Sequence, residues 1–192
     1  MTVLHTARLA IRPLCAEDYP AVCELAGDER VMATLGGVRS AAQVRHWLDR
    51  ELAQLSTHGY CRNVVSLRDA DESERGREHD SARFVGLVGL TRSDFDAGVV
   101  PGIEIAWQLA HRRWGQGFAT EAAERVLTEA FTTHGLSDVI AITSVANHRS
   151  RRVMERLGMQ HSPSETFEHG NLPEGHPLRT HVVYRMSKPV SE

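Results

Sequence analysis

Apolar residues recur at helical spacing along several stretches of the chain, with charged and hydroxyl side chains between them. The longest such stretch, 119–131, returns to an apolar residue every three or four positions, and Gly135 after it is a typical helix stop. The same spacing runs over 44–55, where Ser40 and Gln43 form a capping-box pattern just upstream. Four helices are therefore predicted, over 17–26, 40–55, 119–134 and 147–157.

Strand patterns alternate with these helices and predict a mixed α/β sheet. The segment 84–90 is apolar on both faces, which is typical of a central strand, and Gly86 and Gly89 within it indicate close approach by another backbone. Two strands flank the 119–134 helix, so they can be parallel neighbours joined by a right-handed crossover. Strands are predicted over 6–14, 60–67, 84–90, 102–109, 138–145 and 179–186, with an exposed loop over 68–80 and a turn over 94–102.

Length and composition describe an ordinary soluble protein. The 192 residues suit one domain spanning 1–192, and hydrophobic and charged shares of 41% and 24% are typical of a globular protein. A net charge of −3 gives no general attraction to nucleic acid, and no apolar run predicts a membrane span or a signal peptide. The three cysteines are scattered, and the eleven histidines form no metal-binding motif. These features predict a cytoplasmic protein without a metal, nucleic-acid or membrane partner.

The junction between the strand 102–109 and the helix after it has a composition suited to binding phosphate. The first N–H groups of a helix lack internal partners, and Gly115 and Gly117 would let an anion approach them without a Cβ in the way. Arg112 and Arg113 add positive charge at the same end. Two glycines are equally compatible with a tight turn that binds nothing, and the string matches neither a Rossmann nor a Walker fingerprint.

The complete string from Arg112 to Gly117 resembles the (Q/R)-x-x-G-x-(G/A) loop of the GNAT superfamily of acyl-CoA-dependent N-acyltransferases. The flanking segments 104–107 and 114–122 are similar to the Rim-type branch, the ribosomal-protein N-terminal acetyltransferases. The resemblance implies a central mixed, mostly antiparallel sheet of about six to seven strands flanked by four helices. It also implies that acetyl-CoA binds with its pyrophosphate on the loop amides and its pantetheine arm beside a strand bent by a bulge.

A second junction, from Asn147 to Ser150, resembles the N-x-x-S string of the Rim-type branch, where the asparagine contacts the pantetheine and the serine lies near the sulfur. On the residues alone, Asn147 is better explained as an N-cap. Many relatives place a tyrosine general acid in this helix, whereas 153–156 contains none, which leaves Ser150 or a water as the candidate proton donor. The coenzyme-binding residues that the resemblance implies are Gln108, Leu109, Arg112, Arg113, Trp114, Gly115, Gln116, Gly117, Phe118, Ala119, Thr120, Asn147 and Ser150.

Glu104 is the candidate general base, because it lies on the strand where relatives use a carboxylate or a water relay to neutralise the amine. Strand alternation places its side chain opposite those of Ile103 and Ile105, and a solvated or structural carboxylate is the competing explanation. A backbone N–H of the bulged strand near Gln108 or Leu109 is expected to stabilise the thioester oxygen.

The segment 167–178 is rich in glycine and proline, which predicts an irregular connection into the last strand. In the GNAT plan such a loop overhangs the acceptor side of the sheet, so Phe167, Glu174 and His176 are candidate acceptor-binding residues. Glu174 would attract an ammonium group, and His176 is able to titrate near neutral pH. Hydrogen bonds that only hold the loop in place explain these two polar side chains nearly as well.

Together these features predict a cytoplasmic acetyl-CoA-dependent N-acetyltransferase that transfers the acetyl group directly to a primary amine. The acceptor is left open between a protein N-terminus and a small-molecule amine. The alternative is a non-catalytic acyl-CoA-binding module, which the missing tyrosine supports. Relatives are often dimers, so a homodimer is a candidate assembly.

Overall fold

The computed structural model of the chain describes residues 3–68, 82–93, 102–170 and 172–189. The predicted loop over 68–80 and turn over 94–102 lie outside these ranges, apart from one end residue of each. Eight strands are found in the described ranges: β1 (Leu4–His5), β2 (Leu9–Pro13), β3 (Arg62–Leu67), β4 (Phe84–Ser93), β5 (Gly102–Leu109), β6 (Asp138–Ser144), β7 (Gln160–Glu168) and β8 (Thr180–Ser187).

Five α-helices accompany the strands in the same ranges: α1 (Tyr19–Gly27), α2 (Glu29–Met32), α3 (Ala41–His58), α4 (Phe118–Thr132) and α5 (His148–Arg156). Short 3-10 helices lie at Ala16–Asp18 and His111–Arg113. Within the described part of the chain, no helix combines the length and apolar character that crossing a membrane requires.

The eight strands form one sheet in the order β1-β2-β3-β4-β5-β6-β8-β7. β5 and β6 are parallel, as the sequence predicted for the strands that flank the long helix. Every other neighbouring pair is antiparallel. The predicted mixed, mostly antiparallel sheet of the GNAT type is therefore confirmed, and α4 forms the crossover between its two parallel strands.

The sheet has one more strand than the upper limit that the sequence predicted, and the described residues form five α-helices where four were expected. The additional elements are short or weakly patterned: β1 has two residues, α2 has four, and β7 lacks apolar alternation. Pro163 is tolerated in β7 because this strand lies at the edge of the sheet. Phe167 belongs to β7 and pairs with His181, so its predicted place in an irregular connection was wrong.

A hydrophobic core lies on each face of the sheet. α4 and α5 cover one face, where Ile105 and Ala141 are buried. α1, α2 and α3 cover the other face, where Leu87 is buried. Because successive strand residues point to opposite faces, Glu104 and Gln108 of β5 face the side of α1–α3.

Gly86 and Gly89 allow the neighbouring strands to approach β4 closely, in agreement with the sequence-based expectation. A Cβ on Gly89 would lie 2.4 Å from the carbonyl oxygen of Cys61 and 2.5 Å from the Cα of Arg62. A Cβ on Gly86, whose φ is +151°, would lie 2.3 Å from the carbonyl oxygen of Gln108. These contacts are with backbone atoms, so a side chain at either position would displace a strand.

We expect Gly89→Ala to lower the free energy of unfolding by roughly 2–3 kcal/mol, because the new methyl group would force β3 away from β4. Urea unfolding followed by circular dichroism measures the change. Gly27→Ala is the matched control, since a Cβ at Gly27 meets no atom within 4 Å and alanine favours this helical position. Equal stability of the two variants would show that the strands adjust at little cost.

Candidate active site

A gap opens between the two parallel strands at the centre of the sheet. β5 and β6 are in register at one pair, Glu104 and Ile140. Beyond that pair β5 continues to Leu109 and β6 continues to Ser144 without further pairing between them. The strands therefore diverge toward their carboxyl ends, and an edge of β5 faces the space between them.

The hydrogen-bonding pattern of β5 determines which backbone N–H groups face this gap. The N–H of Ala110 donates to the carbonyl oxygen of Val85 at 3.0 Å, in register with the β4–β5 ladder. In an antiparallel ladder this direction alternates, so the N–H of Gln108 points to β4, whereas those of Trp107 and Leu109 point to the gap.

The pairing of β4 with β5 runs from Gly86↔Leu109 to Ser93↔Gly102 without a register shift. The bulge expected in this strand is therefore absent from its pairing with β4, and the opening arises where β6 turns away. Gln108 is excluded as a backbone donor to the gap. Its side chain also faces away from the gap, because its amide contacts the sulfur of Met32 at 3.1 Å.

The N-terminus of α4 follows β5 after a short loop and has no side-chain cap. Gly115 and Gly117 adopt left-handed conformations, with φ of +75° and +82°, and Gly117 occupies the N-cap position. By contrast, α3 and α5 are capped by Ser40 and Asn147. The first-turn N–H groups of α4 thus lack the side-chain acceptor that those two helices have, as in an anion-binding helix start.

The loop before α4 is braced by its own side chains. The indole N–H of Trp114 donates to the carbonyl oxygen of Leu109 at 2.8 Å, and the amide of Gln116 donates to that of Arg112 at 3.0 Å. Arg113 donates to the carbonyl oxygens of Ala82 and Phe84. These bonds fix the backbone of the loop.

The guanidinium groups of the two loop arginines have partners outside the first turn of α4. Arg113 is bound to the start of β4, and Arg112 lies 3.5 Å from both Glu24 and the carbonyl oxygen of Phe84. Their positive charges remain near the junction, but the guanidinium groups would act on an anion there through long-range attraction and not through direct contact.

Arg8 is a cation at this junction that the sequence did not identify. Its guanidinium group lies 4.6 Å from the ring centre of Phe118, donates to the carbonyl oxygen of Gln116 at 3.0 Å and pairs with Glu121. Burial opposes ionisation of Glu121, but hydrogen bonds from Thr6 and Arg8 outweigh it and hold the pKa below its usual range. Arg8 therefore neutralises the one carboxylate in the first turn of α4.

The two strand-to-helix junctions meet through an aromatic contact. The guanidinium group of Arg149, in the first turn of α5, lies 4.5 Å from the ring centre of Trp114. His111 packs on the same indole at 4.8 Å between ring centres. This contact places the start of α5 next to the loop that precedes α4.

Asn147 caps α5, since its side-chain oxygen accepts the N–H of Ser150 at 3.2 Å. This geometry agrees with the capping explanation, and it leaves the amide N–H₂ of Asn147 uncommitted to the cap. Ser150 is half-buried in the first turn of the helix. Both residues lie just after β6, at the end where β5 and β6 diverge.

Glu104 lies at the point where the gap begins, and it keeps partial solvent access. Desolvation raises the pKa of its carboxyl group to about 7; the charge of Arg62 opposes this shift, and that of Glu51 adds to it. A carboxylate with this pKa is suited to accept a proton near neutral pH.

Phe167 contacts a residue at the start of the gap, whereas His176 is bound within its own loop. Phe167 packs with Ile140 and Val183, and the Nδ1 of His176 accepts the N–H of Leu178 at 3.2 Å within its own loop. Glu174 is exposed. No described contact joins these side chains to Glu104, and their acceptor role stays a prediction.

Comparison with known proteins agrees with this geometry. Residues 8–160 match the family model described as "Acetyltransferase (GNAT) domain". The chain is 30% identical over 175 residues to the uncharacterized protein YkkB of Bacillus subtilis (strain 168), covering 90% of this chain and 92% of that protein. It is also 30% identical over 173 residues to an FsC-acetyl coenzyme A-N(2)-transacetylase of Aspergillus fumigatus, covering 85% of this chain and 66% of that protein.

Solved structures share the fold. An acetyltransferase from Agrobacterium tumefaciens str. C58 superposes with a TM-score of 0.75 at 24% identity, covering 98% of this chain and 95% of that one. A Vibrio cholerae spermidine N-acetyltransferase in complex with CoA and spermine superposes with a TM-score of 0.70 at 16% identity, covering 95% of this chain and 96% of that one. RimL, a ribosomal L7/L12 alpha-N-protein acetyltransferase in complex with CoA, superposes with a TM-score of 0.72 at 13% identity, covering 97% of this chain and 98% of that one.

Proposed function

Because this chain belongs to the GNAT acetyltransferase family, we propose that it transfers an acetyl group from acetyl-CoA directly to a primary amine. The observation that carries the proposal is the N-terminus of α4, which has no side-chain cap and lies beside the gap between β5 and β6. One end of this arrangement suits a diphosphate, and the other suits an extended chain that pairs with a strand edge.

The donor site consists of three parts. The backbone N–H groups of 117–120 would bind the pyrophosphate, with Arg8 neutralising the nearby Glu121. The open edge of β5 at Trp107 and Leu109 would pair with the amide groups of the pantetheine arm. The side-chain amide of Asn147 would contact the same arm from α5. Phe118 contributes through its backbone, because its side chain is buried in the core.

The coenzyme supplies a thioester, and the residues of this chain move the protons. Glu104 takes one proton from the acceptor ammonium and passes it to solvent, so that the nitrogen lone pair is free to bond to the acyl carbon. The C–S bond breaks with its electron pair on sulfur. A second proton leaves the nitrogen for solvent as the amide forms. Sulfur receives a proton from the hydroxyl group of Ser150, and solvent returns a proton to the serine oxygen. The N–H of Trp107 or Leu109 would stabilise charge on the thioester oxygen.

The alternative is a module that binds acyl-CoA without turning it over. The missing tyrosine in α5 still favours it. The desolvation of Glu104 favours an enzyme, because it raises the pKa of this carboxyl group to about 7 beside the gap. A thiol-release assay with acetyl-CoA and a panel of amines separates the two. Release that depends on the amine supports transfer, and tight binding without amine-dependent release would favour the module.

The relatives suggest the range of acceptors, since their names include a spermidine acetyltransferase and an acetyltransferase of ribosomal protein N-termini. We extend to this chain only the shared chemistry, acetylation of an amine. A cytoplasmic location, a single domain over 1–192 and a homodimer are parts of the same proposal. Gel filtration with light scattering tests the assembly.

We expect Ala119→Asp to weaken acetyl-CoA binding at least about tenfold, or roughly 1.4 kcal/mol, because its carboxylate would occupy the same positive helix end as the phosphates. Ala119 is partly buried against the core, so part of the new side chain is desolvated, but acidic residues favour the first turn of a helix; we therefore expect little change in the melting temperature. Isothermal titration calorimetry and thermal unfolding measure the two effects.

Ala119→Asn is the control for this prediction, because asparagine has nearly the shape of aspartate without its charge. We expect it to retain most of the coenzyme affinity. If a folded Ala119→Asp protein binds acetyl-CoA as tightly as the asparagine variant does, the pyrophosphate does not lie at this helix end.

A further inference from the structure

A group of cationic side chains lies on the α1–α3 face of the sheet, at a place separate from the donor site. An open pocket there is lined by Arg39, His46 and Arg50, together with Ala42, Gln43 and Trp47. We call this the arginine pocket. It lies at the first turns of α3, and Arg39 also lines a small cavity with Gln108 of β5. The pocket therefore adjoins the face of β5 that carries Glu104.

No carboxylate in the described part of the chain pairs with the arginines of this pocket. Within the described ranges, neither Arg39 nor Arg50 forms a salt bridge, whereas the nearby Arg62 is paired with Glu51 at 3.9 Å. Partial desolvation, and after it the charges of Arg62 and Arg50, lower the pKa of Arg39 below its ordinary value, although the residue is exposed at the rim. Clustered like charges without counterions raise the free energy of the protein unless an anion binds between them.

Arg62 connects the arginine pocket to the reacting site. Its charge acts on Glu104 and also on Arg39, and its guanidinium group lies 5.6 Å from the ring centre of Trp47, a residue of the pocket wall. An acceptor whose amine reaches Glu104 could therefore extend its other end toward Arg39 and Arg50 along one face of the sheet.

We propose that the arginine pocket binds an anionic group of the acceptor, so that the acceptor is an amine that also carries a carboxylate or a phosphate. This inference rests on the proposed acetyl transfer and specifies its substrate class. Arginine is suited to this role because its planar fork binds a carboxylate or phosphate through two hydrogen bonds. A polyamine would bring positive charge to an already positive surface, and its binding would be opposed.

The test compares amines that differ only in the anionic group. One pair is a serine-first tripeptide amide with two aspartates and its counterpart with two asparagines, and the other pair is O-phosphoethanolamine and ethanolamine. Spermidine represents the polyamines. We expect kcat/KM for acetylation to favour the anionic member of at least one pair by about tenfold or more, and the pair identifies the anion as carboxylate or phosphate.

Arg50→Gln should remove most of this preference by raising KM about tenfold for the anionic amine while leaving acetyl-CoA binding unchanged. Arg39→Gln should act in the same direction. Arg125→Gln is the matched control, because it removes one positive charge from α4, where Arg125 pairs with Glu129. Equal effects of Arg50→Gln and Arg125→Gln would overturn the proposal, because they would attribute the preference to net charge.

Calorimetry with the aspartate tripeptide, in the presence of CoA, separates this inference from the proposed function because it requires no turnover. Peptide binding that Arg50→Gln weakens supports the arginine pocket even if no acetylation occurs. Acetylation that prefers neutral amines or spermidine would overturn the inference and leave the acetyltransferase proposal intact. Absence of both peptide binding and anion preference would also overturn it.

Discussion

Glu104→Gln is expected to lower kcat by about 10²-fold or more near pH 7, the range that general base catalysis contributes. Glutamine keeps nearly the same shape and cannot accept the proton of the acceptor ammonium. The affinity for acetyl-CoA should change little, because Glu104 faces the α1–α3 side of the sheet and not the loop before α4. Steady-state kinetics and calorimetry on the same preparation measure both quantities.

The pH profile gives this prediction a second readout. The pKa of Glu104 is raised to about 7, so the wild-type kcat should fall as the pH decreases through that value and the base becomes protonated. Glu104→Gln should lose this step and regain part of its activity at high pH, where the acceptor amine is already neutral. A variant that keeps the wild-type rate and profile would show that a water relay or another group acts as the base.

The same raised pKa predicts a change in stability. In the unfolded chain Glu104 has an ordinary pKa of about 4.5, whereas in the folded protein its pKa is about 7. The folded state binds more protons between these values, so this group makes the protein less stable as the pH rises through that window. We expect Glu104→Gln to be more stable than wild type at pH 8, by about 2 kcal/mol, and to differ little at pH 4.

The second large effect is expected for Ser150→Ala, which should lower turnover by about 10²-fold if the hydroxyl group donates the proton to the leaving sulfur. The start of α5 should remain intact, because the bond that caps it joins the side chain of Asn147 to the backbone N–H of residue 150. Acetyl-CoA affinity should therefore be preserved. Single-turnover measurements at saturating acetyl-CoA isolate the chemical step from coenzyme binding.

Ser164→Ala is a suitable comparison, because Ser164 is exposed on the edge strand β7 and lies outside the proposed site. It should have wild-type kinetics. Wild-type turnover of Ser150→Ala would assign protonation of the sulfur to water, which the absence of a tyrosine from α5 leaves as the alternative.

The local pattern of apolar residues was sufficient to predict the helices and strands whose periodicity is strong. The apolar stripe at 119–131 predicted α4, the capping box at Ser40 predicted the start of α3, and the apolar run 84–90 predicted β4. These features depend on residues a few positions apart, which a sequence displays directly. β1 and β7 escaped prediction because a strand that short or that polar is held by its partner strand, which local spacing does not reveal.

The candidate site was predictable in part for the same reason. A glycine-rich junction after a strand indicates where a helix begins, and alternation indicates the face on which Glu104 lies. The direction of the N–H groups of Trp107 and Leu109 depends on the pairing of β5 with β4 and on its divergence from β6. The bulge that the resemblance implied is absent from the pairing of β5 with β4.

The sequence by itself thus determined the family, the order of the strong elements and the positions of the helix junctions, because each is encoded over a few neighbouring residues. The tertiary structure decided which charges meet. Arg8 and Glu121 are separated by 113 positions and yet form an ion pair, and Arg39 comes within electrostatic range of Arg62 only after α3 packs on the sheet. Desolvation and charge–charge interactions depend on distances in the folded chain, and for that reason the pKa of Glu104 and the arginine pocket became visible only in the structure.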